Sequence, residues 1–98
     1  MPDFQILLSS HAIQDIEESM SYYEEKLMGL GLRFYNQVES TINQIARNPF
    51  IYSVKYESIR CANVWKFPFL IHFSIDESFK IVTILAVYNT YQRPLWDK

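Results

Sequence analysis

The sequence predicts an α+β fold: an N-terminal strand, a helical hairpin, and a C-terminal antiparallel sheet of three strands with both helices packed on one face. Three observations predict it. Trp65 to Ile75 alternates, with a large apolar side chain at every odd position and Lys66, His72 and Ser74 among the even ones, the period-2 signature of a strand. The run from Lys80 to Tyr88 is rich in Ile and Val, and Asp76-Glu77-Ser78 is a short polar connection between the two, which predicts an antiparallel hairpin. Upstream, apolar residues recur at spacings of three and four on either side of the chain's two glycines, Gly29 and Gly31, which predicts two adjacent amphipathic helices.

Each element has its local warrant. Asp3 to Leu8 is a short apolar strand, and Ser9-Ser10 offers hydroxyls to cap a following helix. Ile13, Ile16, Met20, Tyr23 and Leu27 form one stripe along that helix, with Asp15, Glu17, Glu18, Glu24 and Glu25 off it. Acidic residues in its first turns complement the positive end of the helix dipole. Phe34, Val38, Ile42 and Ile45 mark the second helix, and Asn48-Pro49 ends it, because the residue before proline is pushed out of helical geometry. Residues 50–57, with Tyr52, Lys55 and Tyr56, read as a loop or irregular strand, and Ser58 to Ala62 as a short strand. Two helices cannot cover both faces of such a sheet, so one face is expected to stay open.

The 98 residues form one domain with one modest core. Nearly half are apolar, which excludes a disordered segment. No apolar run approaches the roughly 20 residues that span a bilayer, and the N-terminus has no secretory-signal pattern; a cytoplasmic protein without membrane contact is the expectation. Cys61 is the only cysteine, so there is neither an internal disulfide nor a multi-cysteine zinc site, and it reads as a small apolar strand residue. Residues 1–50 carry three Lys/Arg against seven Asp/Glu, a net of −4, and residues 51–98 six against four, a net of +2. That balance lacks the basic footprint of a general nucleic-acid binder.

The polar residues in the second half are the candidates for chemistry. Arg60 and Lys66 could stabilise a phosphate if their strands present them on the open face, and Arg60 could grip a phosphate or carboxylate in two places. Each could equally be a surface cation lying over aromatic neighbours. His72 shares the parity of Lys66 and titrates near neutral pH; a hydrogen-bonded strand histidine is the alternative. His11 sits at a helix start, where a local capping role fits. Asn89 can donate and accept hydrogen bonds but not transfer protons. Tyr91 could stack on a base or cover the sheet edge, and Arg93-Pro94-Leu95-Trp96 could anchor the chain end through Trp96. The acidic residues of the first helix form a solvated face without metal-ligand spacing. There is no phosphate-binding loop and no Ser-His-Asp constellation, so neither a metal nor a cofactor is expected.

The order of these pieces resembles the RelE/ParE superfamily of toxins from type II toxin–antitoxin modules. Ala12 with Asp15-Ile16 and Tyr22-Tyr23 resembles the family's first helix. Gly31, Phe34, Ile45 and Asn48-Pro49 resemble its second helix and stop. Ile59-Arg60, Phe67-Pro68-Phe69 and Ile84 to Val87 resemble its three C-terminal strands. The resemblance covers nearly the whole chain. It implies a toxin neutralised by a cognate antitoxin encoded beside it. RelE-like members cleave messenger RNA on the ribosome with Lys, Arg and Tyr side chains on the open sheet face; that mechanism would draw on Arg60, Lys66, Tyr91 and Arg93. ParE-like members share the fold, lack that catalytic set and act on DNA gyrase. The Gly-linked hairpin of long helices leans ParE-like, and there Arg60, His72, Asn89, Tyr91 and Arg93 would contact target or antitoxin. Many relatives carry a histidine at the position of Asn89 and basic residues just after it, where this chain has Tyr91 and Gln92, with Arg93 one further on. A degenerate module that binds an antitoxin without toxicity is a further alternative. The exposed apolar surface predicts a complex with the antitoxin, on a possible dimeric core.

Overall fold

The computed structural model describes residues 3–91. Along the chain these form β1 (Gln5–Leu8), α1 (Ser10–Lys26), α2 (Leu30–Arg47), a 3-10 turn (Pro49–Ile51), β2 (Val54–Tyr56), β3 (Ile59–Asn63), β4 (Phe69–Asp76) and β5 (Ile81–Asn89). The predicted α+β architecture holds, with the sheet extended at both ends. Its strand order is β1-β5-β4-β3-β2. β2 to β5 run as an antiparallel meander, and β1 joins parallel to β5, Gln5 opposite Ile81 and Leu8 opposite Ile84. The parallel pairing needs the long crossover that the helical hairpin supplies.

Ser9 caps α1: its side-chain oxygen accepts from the Ala12 amide at 3.0 Å, a contact worth about 1 kcal/mol. α2 ends at Asn48, immediately before Pro49. Both helices lie on one sheet face, where Ala12, Ile16, Phe34, Val38 and Ile45 pack against Ala62, Phe69, Ile71, Phe73, Val82, Ile84 and Val87. The buried stripe of α1 begins at Ala12, not at Ile13, which stays exposed. Leu27 leaves the stripe as well, because it has extended dihedrals at the C-cap and faces solvent.

The two glycines have separate causes. Gly29 adopts φ +87° where the chain reverses between the helices, a conformation disfavoured for L-residues with a side chain. Gly31 marks a close approach: a Cβ there would meet the Met20 carbonyl oxygen at 2.6 Å. Glu24 ties the same corner, its two carboxylate oxygens accepting from the amides of Gly29 and Gly31 at 2.9 and 3.0 Å. One side chain thereby satisfies two donors at the start of α2 that have no intrahelical partner.

One predicted element is corrected. Residues 65–68 do not begin a long strand; they form a tight turn, in which the Phe67 amide donates to the Val64 carbonyl and the Val64 amide donates to the Phe69 carbonyl. Lys66 occupies the third position of the turn Val64–Phe67, with φ +68°. The alternation misleads here because the large side chains of the turn also find packing partners: Phe67 folds back onto Tyr23 and Phe34, with ring centroids 5.1 and 5.2 Å apart. Among the described residues no helix is long and apolar enough to cross a membrane.

Gly31→Ala is expected to destabilise the protein by about 2 kcal/mol, because backbone on the facing helix cannot yield as a flexible side chain would. Gly29→Ala is expected to cost only about 1 kcal/mol, the left-handed penalty alone. Urea unfolding of the two variants measures both.

Candidate functional site

The functional surface is set by an irregularity in β5. Phe73 pairs with Ile84 and His72 with Ala86, so Leu85 is an extra residue in β5. Such a bulge shifts the alternation of side chains beyond it. Val82 and Ile84 face the helices before the bulge, and Val87 does so after it. Asn89, opposite the core residue Phe69, follows the same parity, while Tyr88, opposite Leu70, lies on the other face.

The outer edge of β5 beyond Ile84 is unprotected by β1, and the start of α1 takes its place. The Ser9 amide donates to the Ile84 carbonyl at 3.0 Å, the Ser9 hydroxyl to the Leu85 carbonyl at 3.0 Å, and the Val87 amide to Asp15 Oδ2 at 2.9 Å. His11 Nε2 stands 3.4 Å from the same carboxylate oxygen and 3.2 Å from the Tyr88 hydroxyl. Burial raises the Asp15 pKa, while the Val87 hydrogen bond and His11 act against that rise. Asp15 is thus taken from the solvated acidic face and used as a backbone partner.

On the face without helices, His72 is completely buried, with Cys61 and Ala86 buried beside it as its cross-strand neighbours. Two tyrosines roof it. The Tyr56 hydroxyl lies 3.3 Å from His72 Nδ1, and the Tyr88 ring meets the imidazole edge-on at a centroid distance of 5.4 Å. Burial lowers the His72 pKa and pushes the Cys61 thiol up to about 11. The expected open face is therefore closed at its centre by aromatic side chains. A neutral thiol beside a neutral imidazole also lacks the thiolate character of a nucleophilic pair.

The remaining candidates do not converge on this cluster. Arg60 pairs with Phe73 and so lies on the helix side of the sheet, where its guanidinium donates to the Tyr52 carbonyl and stands 5.5 Å from the Phe50 ring centroid. Lys66 sits in the turn, its Nζ 4.6 Å from the Trp65 ring centroid. From Arg60 to the end of β3 is roughly 10 Å of strand, and Lys66 lies beyond that end. Asn89 accepts the Tyr91 amide at 2.8 Å through its side-chain oxygen, and the Tyr91 side chain is exposed. Gln92, Arg93 and Trp96 lie outside the described residues. Asn89 lines a groove of about 400 Å³ with Asp15, Glu18, Ser19, Tyr22, Phe69, Val87 and Tyr88.

Asp15, Tyr56 and Tyr88 are structurally decisive polar residues that the sequence reading did not place among the candidates for chemistry. The sequence signals for Asp15 were its place on the helix next to the Ala12–Ile16 stripe and its part in the first-helix resemblance. Among the described residues no group of three or more His, Cys, Asp or Glu side chains could hold a metal ion.

A small mixed sheet carries a helical hairpin on one face and a cluster of tyrosines and histidine on the other. The chain belongs to the family described as the ParE toxin of the type II toxin–antitoxin system parDE, whose model matches residues 6–94. Among solved structures it is similar to the chromosomal ParDE toxin–antitoxin system of P. aeruginosa, with a TM-score of 0.77 and 12% identity over 88% of this chain and 95% of that one. It is also similar to the RelBE2 toxin–antitoxin complex of Mycobacterium tuberculosis, with a TM-score of 0.65 and 18% identity over 91% and 93% of the two chains. No curated protein matches it in sequence.

Two outcomes follow from the buried cluster. The folded chain holds His72 neutral to a lower pH than the unfolded chain does. The unfolded state therefore binds the extra proton, and stability falls as pH drops below about 6.5 towards the lowered folded value. His72→Gln should flatten that part of the stability–pH profile measured by urea unfolding, whatever it costs at pH 8. Asp15, with a raised pKa, contributes at lower pH with the opposite sign. Cys61 should resist a thiol-specific disulfide reagent at pH 8 in the native protein and react at least a hundredfold faster in urea; equal rates would show that the thiol is not enclosed.

Proposed function

We propose that this chain is the toxin of a type II toxin–antitoxin pair, held inactive by a cognate antitoxin, and that it inhibits DNA gyrase by binding it, without cleaving RNA. The observation that carries the choice of target is the dispersal of the candidate groups that lie among the described residues. Ribonucleolytic attack by a 2′-hydroxyl needs an acid, a base and cations around one phosphate. Arg60 is engaged by the Tyr52 carbonyl on the helix side, Lys66 rests on Trp65 in a turn, and His72 is fully buried. No pair of these surrounds a common point. The net charge of −2 supports the same reading, since a ribosome-bound nuclease relies on many phosphate contacts. The antitoxin assignment is supported by family membership and by the two structurally similar toxin–antitoxin complexes.

Induced expression should arrest growth, and co-expression of the small adjacent gene should relieve the arrest. Purified chain should inhibit supercoiling by gyrase in a dose-dependent way and leave messenger RNA on translating ribosomes intact. Cleavage in the ribosomal A site that Arg60→Ala abolishes would overturn the choice of target and establish the ribonuclease reading. Normal growth despite soluble, folded protein would leave a non-toxic antitoxin-binding module.

A further inference from the structure

A second surface lies at the opposite end of β3 from Arg60, where the first turns of α2 meet the turn between β3 and β4. Leu30, Arg33, Asn36, Gln37, Lys66 and Phe67 line a depression of about 310 Å³ there. Its apolar part is Leu30 and Phe67, both half-buried, with Phe67 fixed from behind by Tyr23 and Phe34. Its charged side chains are both cationic and both exposed. Among the described residues neither Arg33 nor Lys66 forms an ion pair; Lys66 meets only the ring of its neighbour Trp65, which is itself 65% exposed. Asn36 and Gln37 add side-chain amide donors. The Lys66 backbone is left-handed, so the turn projects this lysine at some conformational cost. The fold has therefore placed two cations, without an ion-pair partner among the described residues, and two amides around an apolar floor, on a molecule that is acidic overall.

From this juxtaposition we infer that the Arg33–Lys66–Phe67 depression is a docking site for an acidic peptide segment of a partner protein, one that sets an aromatic or aliphatic side chain on Phe67 and carboxylates against Arg33 and Lys66. Charge complementarity selects the partner. Arg33 can bind a carboxylate in two places, and the amides can complete its hydrogen bonding. A nucleic acid fits less well, because affinity for a polyanion grows with the number of phosphates neutralised and among the described residues two cations line the depression. A second copy of the chain, offering the acidic outer face of α1, would make a heterologous head-to-tail contact in place of the isologous one of the common two-fold dimer. The inference adds the chemistry of a partner site to the toxin reading.

The test is a titration of the full-length chain, followed by amide chemical shifts and by the Trp65 indole signal. The probe is an acetylated, amidated hexapeptide of sequence Ala-Glu-Leu-Phe-Glu-Ala. Saturable shifts confined to Leu30, Arg33, Gln37, Trp65 and Phe67 are expected. Affinity should fall at least tenfold when the glutamates of the peptide become glutamines, and at least tenfold in Arg33→Glu and in Lys66→Asn, the latter chosen because asparagine tolerates a left-handed backbone. Unchanged shifts elsewhere in these variants establish that they fold. Three results would overturn the proposal: no saturable shifts at these residues, equal binding of the glutamine peptide, or tighter binding of a 12-nucleotide RNA at the same residues. Concentration-dependent self-association that Arg33→Glu abolishes would instead assign the surface to a second copy. The titration reads the surface directly and needs neither antitoxin nor gyrase, so its failure is distinguishable from failure of the growth and supercoiling assays.

Discussion

The seam between the start of α1 and the bulged end of β5 is the constraint on which the rest of the molecule depends. β1 protects the edge of β5 only as far as Ile84. Beyond that, exposed backbone donors and acceptors would cost free energy or invite another strand. Ser9 and Asp15 take over the pairing from the helix side, which pins α1 to the sheet in one register. The extra residue at Leu85 then lets Ile84 and Val87 both enter the core although they are three residues apart. The same shift sends Tyr88 to the opposite face, where it roofs His72 and meets His11.

That arrangement separates the side chains from which a catalytic reading would be assembled. A regular β5 would place Asn89 on the face of His72; the bulged strand places it opposite Phe69, beside α1. Arg60 shares the helix side with Phe73, while Cys61 and His72 face away. Burial reinforces the separation, since desolvation favours the neutral forms of both the imidazole and the thiol. What stays accessible is distributed: an acidic groove along α1 and β5, and a cationic depression between α2 and the β3–β4 turn. The two surfaces differ in sign, and electrostatic complementarity steers and selects association.

The legibility of the sequence followed the range of the interactions involved. Helix boundaries were readable from Ser9, Gly29 and Asn48-Pro49, since capping and proline geometry act within a few residues. β4 and β5 were readable from their composition and polar connection. The stretch from Trp65 to Pro68 was not, because apolar alternation records only that side chains are buried, and a turn folded back onto Tyr23 and Phe34 buries them as well. The bulge at Leu85 carries no glycine or proline to announce it; its cause is the fit of Ile84 and Val87 against α1. No local motif marks Arg33; the turn brings Lys66 and Phe67 beside it only in the folded chain.

By itself, then, the sequence determined both helices, β1, β3, the β4–β5 hairpin, their order and the family resemblance, because periodicity, capping and turn chemistry are local properties of the chain. Only the tertiary structure decided which side chains share a face. Strand parity beyond a bulge, the side of β3 that carries Arg60, the enclosure of His72 and the pairing of Arg33 with Lys66 all depend on residues distant in sequence. Those relations come into being when the strands pair and the core closes.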